Sequence, residues 1–271
     1  MQLIPLALYI AAFIAYVWHF ARRRPEVGRT ATTLMVAGAL AHTFVIGMQT
    51  VEIGHVPFAG QSSVISTFVW LLALAYLYME MTTDERALGA LILLLIVALQ
   101  SIPVLRPGVE DRDALLQGPL FSLHVSSLLL AYASFALACM IGITYVLLFK
   151  EIKAKHLGFF YARLPSLQVL DSMNQRAAVF GWLFLTIGLV VGWIWALQAP
   201  ATDPRVQAMR IQDPKIFLAV VCWAVYSFEV FGARRIGWGG RRTAYLSAIG
   251  FAIVLMNLLP VGYFFTRSHD F

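Results

Sequence analysis

The chain has 271 residues, of which 60% are hydrophobic and only 13% are charged, and its mean hydropathy is +0.77. A soluble domain of this size carries a far more charged surface, so the composition excludes a soluble protein. The formal net charge of +6 would suggest nucleic acid as a partner of a soluble protein. Here it is typical of the basic excess on the inner side of a membrane protein, and we expect no nucleic-acid partner.

Apolar runs long enough to cross a bilayer recur along the whole sequence. They predict an all-α integral membrane protein, in which residues 1–271 form a single polytopic domain, a bundle of eight transmembrane helices. Because no Lys or Arg occurs in residues 1–20 and Arg22–Arg24 follow them, we expect a retained first helix rather than a secretory signal peptide. The predicted spans cover residues 3–20, 31–50, 63–80, 87–103, 119–149, 177–197, 214–233 and 243–262.

The basic residues predict the orientation of this bundle. Of the 20 Lys and Arg residues, 14 lie in the segments 21–30, 80–86, 150–176 and 234–242, and six lie in the opposite loops and tail. By the positive-inside rule both termini are predicted to face outward, as is the loop 198–213. We expect the location to be the inner (cytoplasmic) membrane of a bacterium. The clusters Arg22–Arg24 and Arg241–Arg242 set this topology and contact phospholipid.

Local signals fix several details of the spans. Gly118-Pro119 opens the fifth helix, since proline is favoured at the first helical position. Gly188 and Gly192, four residues apart, allow close helix packing in the sixth span. Asp213 before Pro214 is the ordinary N-cap pattern of a helix start.

Cys139 and Cys222 each lie inside a predicted span, far apart in the sequence. They form neither a CxxC pair nor a CxxCH haem-attachment site, so they are interpreted as small apolar fillers. The chain is therefore predicted to be neither a c-type cytochrome nor a thiol oxidoreductase.

The stretch from Ala177 to Lys215 is the feature around which the other helices are arranged. An outer tryptophan-bearing loop at about 192–215 carries Trp193 and Trp195 on one rim and Asp213 on the other. These residues outline a shallow platform at the outer membrane surface. Imidazole is a good ligand of haem iron, and aromatic side chains can sandwich a flat macrocycle.

The six histidines differ in predicted depth. Three of them fall on the outer face with the tryptophans, namely His55, His124 and His269. His42 lies in the middle of the second span, where it is either an interhelical hydrogen-bonding residue or a functional ionisable group.

Structural interpretations of the same residues remain open. His124 could hydrogen-bond a neighbouring span, and His269 could belong to a frayed terminus. Trp193 and Trp195 could form an interfacial aromatic belt, and His55 could orient its turn. Asp213 could serve as a helix cap, and Glu229 is expected to pair with Arg234 or Arg235.

Several motifs occur in a characteristic order along the chain. They are Gly54-His55-x-Pro57-Phe58, Leu123-His124-Val125 with Leu130-Ala131-Tyr132-Ala133-Ser134-Phe135, Gly188-x-x-x-Gly192-x-x-Trp195-Ala196, Asp213-Pro214-Lys215, Trp223-x-x-Tyr226, Gly237-Trp238-x-Gly240-Arg241-Arg242, and His269 beyond the last span. In order and spacing the chain resembles the integral-membrane cytochrome c assembly superfamily of CcsA- and CcmC-like haem-handling proteins, with its HemX-like branch.

The resemblance implies a role in cytochrome c biogenesis, with haem b held at the outer face. His124 and His269 would be the axial ligands of the iron, and Trp193, Trp195 and Asp213 would belong to the loop that faces the porphyrin. The implied partners are apocytochrome c or another cytochrome c assembly membrane protein. No catalytic residue is expected, because haem transfer needs only ligand exchange at iron.

The sequence also departs from the family pattern. Residues 196–212 contain no tryptophan, Phe231 stands where the synthases have a membrane histidine, and Gln61-Ser62-Ser63 lack a glutamate. The chain therefore resembles the HemX-like branch more than a complete haem lyase. The alternative function is a non-catalytic HemX-like membrane scaffold or regulator that has lost haem binding.

Overall fold

The structure, a computed structural model, describes residues 1–58, 60–106, 118–155, 158–198 and 214–257, apart from the side chains of Gln61, Ala233 and Arg234. These residues form eight α-helices and no strand, so the predicted all-α class is confirmed. The helices are α1 (Leu3–Arg22), α2 (Pro25–Ile53), α3 (Gln61–Thr83), α4 (Gly89–Leu105), α5 (Pro119–Lys153), α6 (Leu167–Gln198), α7 (Pro214–Ile236) and α8 (Arg241–Met256).

Six of the described helices are long and apolar enough to cross a membrane, judged by length and composition: α1, α2, α3, α5, α6 and α7. The helix α4 is apolar but has only 17 residues, and α8 has 16 in the described part of the chain. Each of the eight predicted spans overlaps one of these helices, and residues 258–262 of the last one lie outside the described residues.

Proline and glycine set several helix ends. Pro25 and Pro119 lie in the first turns of α2 and α5, where no intrahelical partner for a backbone N–H is lost. Gly118 precedes α5 as predicted. Gly54 ends α2 with φ of 89°, a left-handed conformation that favours glycine, and its amide donates to the Thr50 carbonyl.

The bundle consists of two groups of four helices. In the first group, α1 contacts α2 and α4, and α3 contacts the same two helices. In the second group, α5 contacts α6 and α8, and α7 contacts the same two helices. The groups meet mainly where α3 packs on α5. Cys139 on α5 and Cys222 on α7 are buried and free, as predicted.

Aromatic rings packed on glycines bring the helices close together in both groups. At each of four glycines a Cβ atom would overlap the ring of a neighbouring helix, so only glycine leaves room for that ring. The pairs are Tyr9 on Gly38, Tyr16 on Gly89, Phe135 on Gly181 and Tyr226 on Gly250. Since lipid provides little hydrophobic drive between helices, such close van der Waals contacts are a main source of their association.

A chain of buried polar side chains connects α1 to its neighbours. The hydroxyl of Tyr9 lies 3.2 Å from Nδ1 of His42, and Nε2 of His42 lies 2.9 Å from Oγ of Ser66. Ser66 and Gln100 both donate to Oε1 of Gln2, at 3.2 and 2.8 Å. The prediction that His42 hydrogen-bonds between helices is confirmed.

A second polar cluster surrounds the buried carboxylate of Glu80 near the C-terminal end of α3. Tyr16 donates to Oε2 of Glu80 at 2.6 Å, and the hydroxyl of Thr32 donates to Oε1. Nε of Arg86 lies 3.6 Å from Oε1, which forms an ion pair. These contacts join α1, α2 and α3. They also allow the carboxylate of Glu80 to be buried, because a buried charge is tolerated when it is paired and hydrogen-bonded.

Glu229 lies buried in the second group, and its described partner is a hydroxyl rather than Arg235. Its Oε1 accepts a hydrogen bond from Ser247 at 2.7 Å, and the amide of Asn174 donates to the same hydroxyl at 3.0 Å. No ion pair to Arg235 occurs within the described residues, and the side chain of Arg234 lies outside them. Among the described residues, the hydroxyl of Ser247 on α8 is the hydrogen-bond partner of this carboxylate.

Asp171 on α6 caps the start of α8. Its Oδ1 accepts hydrogen bonds from the backbone N–H of Gly240 at 2.6 Å and from the hydroxyl of Thr243 at 3.1 Å. The first N–H groups of a helix have no intrahelical partner, so a carboxylate stabilises this end by hydrogen bonding and by charge. The cap comes from a different helix, about 70 residues away in the sequence.

Candidate functional site

The imidazole of His124 lies where α5 and α6 cross near the end that carries the tryptophans. Its Nδ1 is 2.8 Å from the backbone oxygen of Gly188. A Cβ atom at Gly192 would lie 2.5 Å from both Nδ1 and Cε1 of the ring. The two glycines thus form a shallow seat on α6, and the imidazole fills it.

The contact with Gly188 determines which nitrogen of His124 carries the proton. A carbonyl oxygen can only accept, so Nδ1 is the donor and the neutral ring keeps its lone pair on Nε2. No hydrogen bond to Nε2 comes from the described part of the chain. Metal-binding histidines commonly have this arrangement, in which the second nitrogen donates to a carbonyl and fixes the ring.

Trp195 covers one side of this histidine. The indole and imidazole rings are nearly parallel, with an interplanar angle of 12° and centroids 6.5 Å apart. Phe121 packs on the same indole at 5.5 Å. Phe121 was not predicted from the sequence, although its position one turn before His124 on α5 was a usable signal. Trp195 is only 9% exposed, so the aromatic wall belongs to the packed core.

Trp193 lies on the other face of α6. It is 63% exposed, and the helix continues through Gln198, so two residues of separation turn the side chains about 200° apart. The structure thus brings Trp195 but not Trp193 to His124. Residues 192–198 of the predicted loop are helical, and Pro214 and Lys215 begin α7, while residues 199–213, including Asp213, lie outside the described residues. His269 also lies outside them.

The remaining residues singled out in the sequence have local partners. Nδ1 of His55 lies 3.0 Å from the carbonyl oxygen of Val56, a contact within its own turn. Phe231 packs edge-on against Trp182, with ring centroids 5.5 Å apart, and is about half exposed on α7. In the described structure, neither residue contacts His124.

Taken together, the helices and this seat define a multi-pass membrane protein that presents an oriented imidazole beside an aromatic wall. The family model described as Cytochrome C assembly protein matches residues 3–269. The chain belongs to the cytochrome c assembly protein family, and the predicted membership is confirmed.

Three relatives illustrate the range of this family. The cytochrome c biogenesis protein CcsA of Guillardia theta is 27% identical over 258 residues, which covers 87% of this chain and 83% of the relative. CcsA of Trieres chinensis is 23% identical over 301 residues, with coverage of 99% and 93%. Protein HemX of Brevibacillus brevis is 23% identical over 270 residues, with coverage of 97% and 94%. Two of the three names in the predicted resemblance, CcsA and HemX, thus occur among these relatives.

Proposed function

We propose that this chain is a haem-handling membrane protein of cytochrome c biogenesis, which holds haem b at the outer membrane face through His124 and His269. The observation that carries the proposal is the state of His124 in a member of this family. Its Nδ1 is fixed by a backbone carbonyl, its Nε2 keeps a lone pair, and Trp195 stands parallel beside it. Imidazole is a common axial ligand of haem iron, so these residues fit the group.

The same proposal places the protein in the bacterial cytoplasmic membrane with eight spans and both termini outside. The basic residues support this orientation, because 14 of 20 Lys and Arg residues lie in the segments assigned to the inner side. The 26 residues from His124 to Lys150 on α5 cover about 39 Å. The hydrocarbon core is about 30 Å thick. With Lys150 at the inner surface, His124 therefore reaches the outer one.

Each site residue has a distinct proposed role. His124 and His269 would be the axial ligands, and Trp195 would support one side of the His124 imidazole. Asp213 and Trp193 belong to the cofactor-binding loop, where Trp193 has an exposed indole for contact with the macrocycle or with apocytochrome c. Release to an acceptor, either apocytochrome c or another cytochrome c assembly membrane protein, is ligand exchange and requires no nucleophile or general base.

The absorption spectrum of the purified protein tests this proposal. The full chain would be purified in mild detergent from haem-replete cells, beside His124→Ala and His269→Ala. We expect a stoichiometric Soret band with low-spin features in the wild type, and its loss or shift in both variants. His42→Ala is the matched control, because that imidazole is buried in the first helix group with both nitrogens hydrogen-bonded. A band that persists unchanged in both site variants refutes the ligand assignment.

The second candidate function is a non-catalytic HemX-like scaffold or regulator without haem. It is favoured by the exposed Trp193, which turns away from His124, and by Phe231 in place of the synthase histidine. A wild type that is folded, colourless and impossible to reconstitute with haem, yet copurifies with an assembly protein, supports this candidate over the first.

A further inference from the structure

A groove of about 700 Å³ lies between α3 and α6, with α5 as its floor. It is located where the two helix groups meet, away from His124. Leu130 and Leu137 of α5 contribute to the floor, and Leu74 and Val179 contribute to the walls. The lining is therefore largely apolar.

The side of the groove opens outward from the bundle. Tyr78 on α3 and Phe180 on α6 stack across its mouth, with ring centroids 6.2 Å apart and an interplanar angle of 23°. Both are well exposed, Tyr78 at 62% and Phe180 at 41%. Since α3 and α6 are each long and apolar enough to cross a membrane, these exposed apolar side chains face lipid, and so does the groove.

One end of the groove is polar and positively charged. Ser172, Gln175 and Arg176 line it there. Within the described residues, Arg176 has no ion pair or hydrogen bond, and no Asp or Glu lines the groove. The neighbouring Asp171 is already bonded to the amide of Gly240. The guanidinium charge is thus available to an anion.

The position of Arg176 along α6 matches the level of lipid headgroups. The apolar stretch of α6 begins immediately after it, at Ala177. The whole helix has 32 residues and is about 48 Å long. Because this exceeds the hydrocarbon thickness of about 30 Å, the first turns extend beyond the core. Arg176 therefore lies near the boundary, at the end of the bundle that also carries Arg22 and Lys153.

We propose that this groove is a binding site for an anionic phospholipid. The phosphate binds Arg176, with Ser172 beside it, and an acyl chain lies along the apolar wall past Leu74 and Val179. Basic pockets between membrane helices recognise anionic headgroups in this way. A lipid, rather than haem, is the occupant because neither histidine nor cysteine is among the described residues that line the groove.

Native mass spectrometry of the full chain in detergent tests the proposal. The probes are dioleoylphosphatidylglycerol and, as a zwitterionic lipid with the same chains, dioleoylphosphatidylcholine. One charge contact near a membrane surface corresponds to roughly a fivefold change in affinity. We expect wild type to retain the anionic lipid about fivefold more strongly, Arg176→Gln to lose this preference, and Arg176→Lys to keep most of it.

Two further variants separate the groove from general electrostatics. Arg235→Gln makes the same change at an exposed position near the end of α7, outside the groove, and leaves the preference unchanged. Ala75→Leu narrows the groove and weakens binding of both lipids. Melting temperature in detergent verifies that each variant is folded.

Three results would overturn the proposal. The first is equal retention of the two lipids by folded wild type. The second is an equal loss of the preference in Arg235→Gln and Arg176→Gln, which would indicate only a surface attraction. The third is a haem Soret band that disappears in both Arg176→Gln and Ala75→Leu, which would make the groove a haem site.

Discussion

Gly192→Ala is the sharpest perturbation of the seat that holds His124. The new Cβ would lie 2.5 Å from Nδ1 and Cε1 of the imidazole, so the ring has to move by about 1 Å to reach ordinary contact. Overpacking of this kind costs about 1–3 kcal/mol. Loss of the hydrogen bond to Gly188 adds about 1 kcal/mol. Because a partner that orients a metal ligand is worth about 10- to 100-fold in affinity, we expect haem binding to weaken by that factor.

The assay is a haem titration followed by the Soret band, together with a melting curve in the same detergent. Gly47→Ala is the matched control, since Gly47 lies on the exposed face of α2 and a Cβ there meets no atom within 4 Å. Helix propensity makes that change neutral or stabilising, by up to about 1 kcal/mol. If Gly192→Ala binds haem and melts as Gly47→Ala does, the steric reasoning is wrong.

The two tryptophans of α6 are predicted to differ: Trp195→Ala lowers haem affinity and melting temperature, because Trp195 is packed beside the imidazole, whereas Trp193→Ala lowers only haem affinity. Equal melting temperatures of the two variants would contradict this difference. Ser247→Ala leaves the buried Glu229 without its hydrogen-bond donor and lowers the free energy of unfolding by about 1–3 kcal/mol, measured by thermal unfolding. An unchanged transition would show that the carboxyl group finds another partner. Asp171→Ala removes the cap of α8 and lowers stability by about 1 kcal/mol, with protection of the α8 amides from hydrogen exchange as the measurement; unchanged exchange would argue against the cap.

Much of the fold was predictable because lipid restricts the possible structures. Without water in the bilayer core, each apolar segment must satisfy its backbone groups internally, so a long apolar run reads directly as a helix. The start of α5 at Gly118 and Pro119 was equally clear, because the missing N–H of proline is harmless there.

The start of α6 was less predictable. The helix begins at Leu167, ten residues before the predicted span. The span was predicted to begin later because Asp171 and Asn174 give these first turns the polar composition of a loop. Both residues bond groups at or near α8, Gly240 and Ser247, about 70 residues away in the sequence. A hydropathy pattern has no information on such distant partners, so polar residues buried between helices were read as a solvated connection.

The candidate site was predictable in its residue types but only partly in its geometry. The motif around His124 identified the histidine, and the spacing of Gly188 and Gly192 indicated close packing. The separation of Trp193 from Trp195 required knowing that α6 remains helical through both residues. The prediction placed both tryptophans on one rim of a loop. In a helix, the 3.6-residue period turns the two indoles to different faces.

The cap from Asp171 to Gly240 has a consequence for biogenesis. During synthesis α6 leaves the ribosome well before α8. The Asp171 carboxylate therefore lacks the amide of Gly240 as a hydrogen-bond donor until the start of α8 has been made. Asn174 gains its contact with Ser247 only when α8 is present, although its amide also donates to the carbonyl of Ala138 on α5. The second half of the protein therefore acquires its final packing only after its last described helix is inserted. A chain arrested before α8 would leave the Asp171 carboxylate without the amide of Gly240 and the hydroxyl of Thr243.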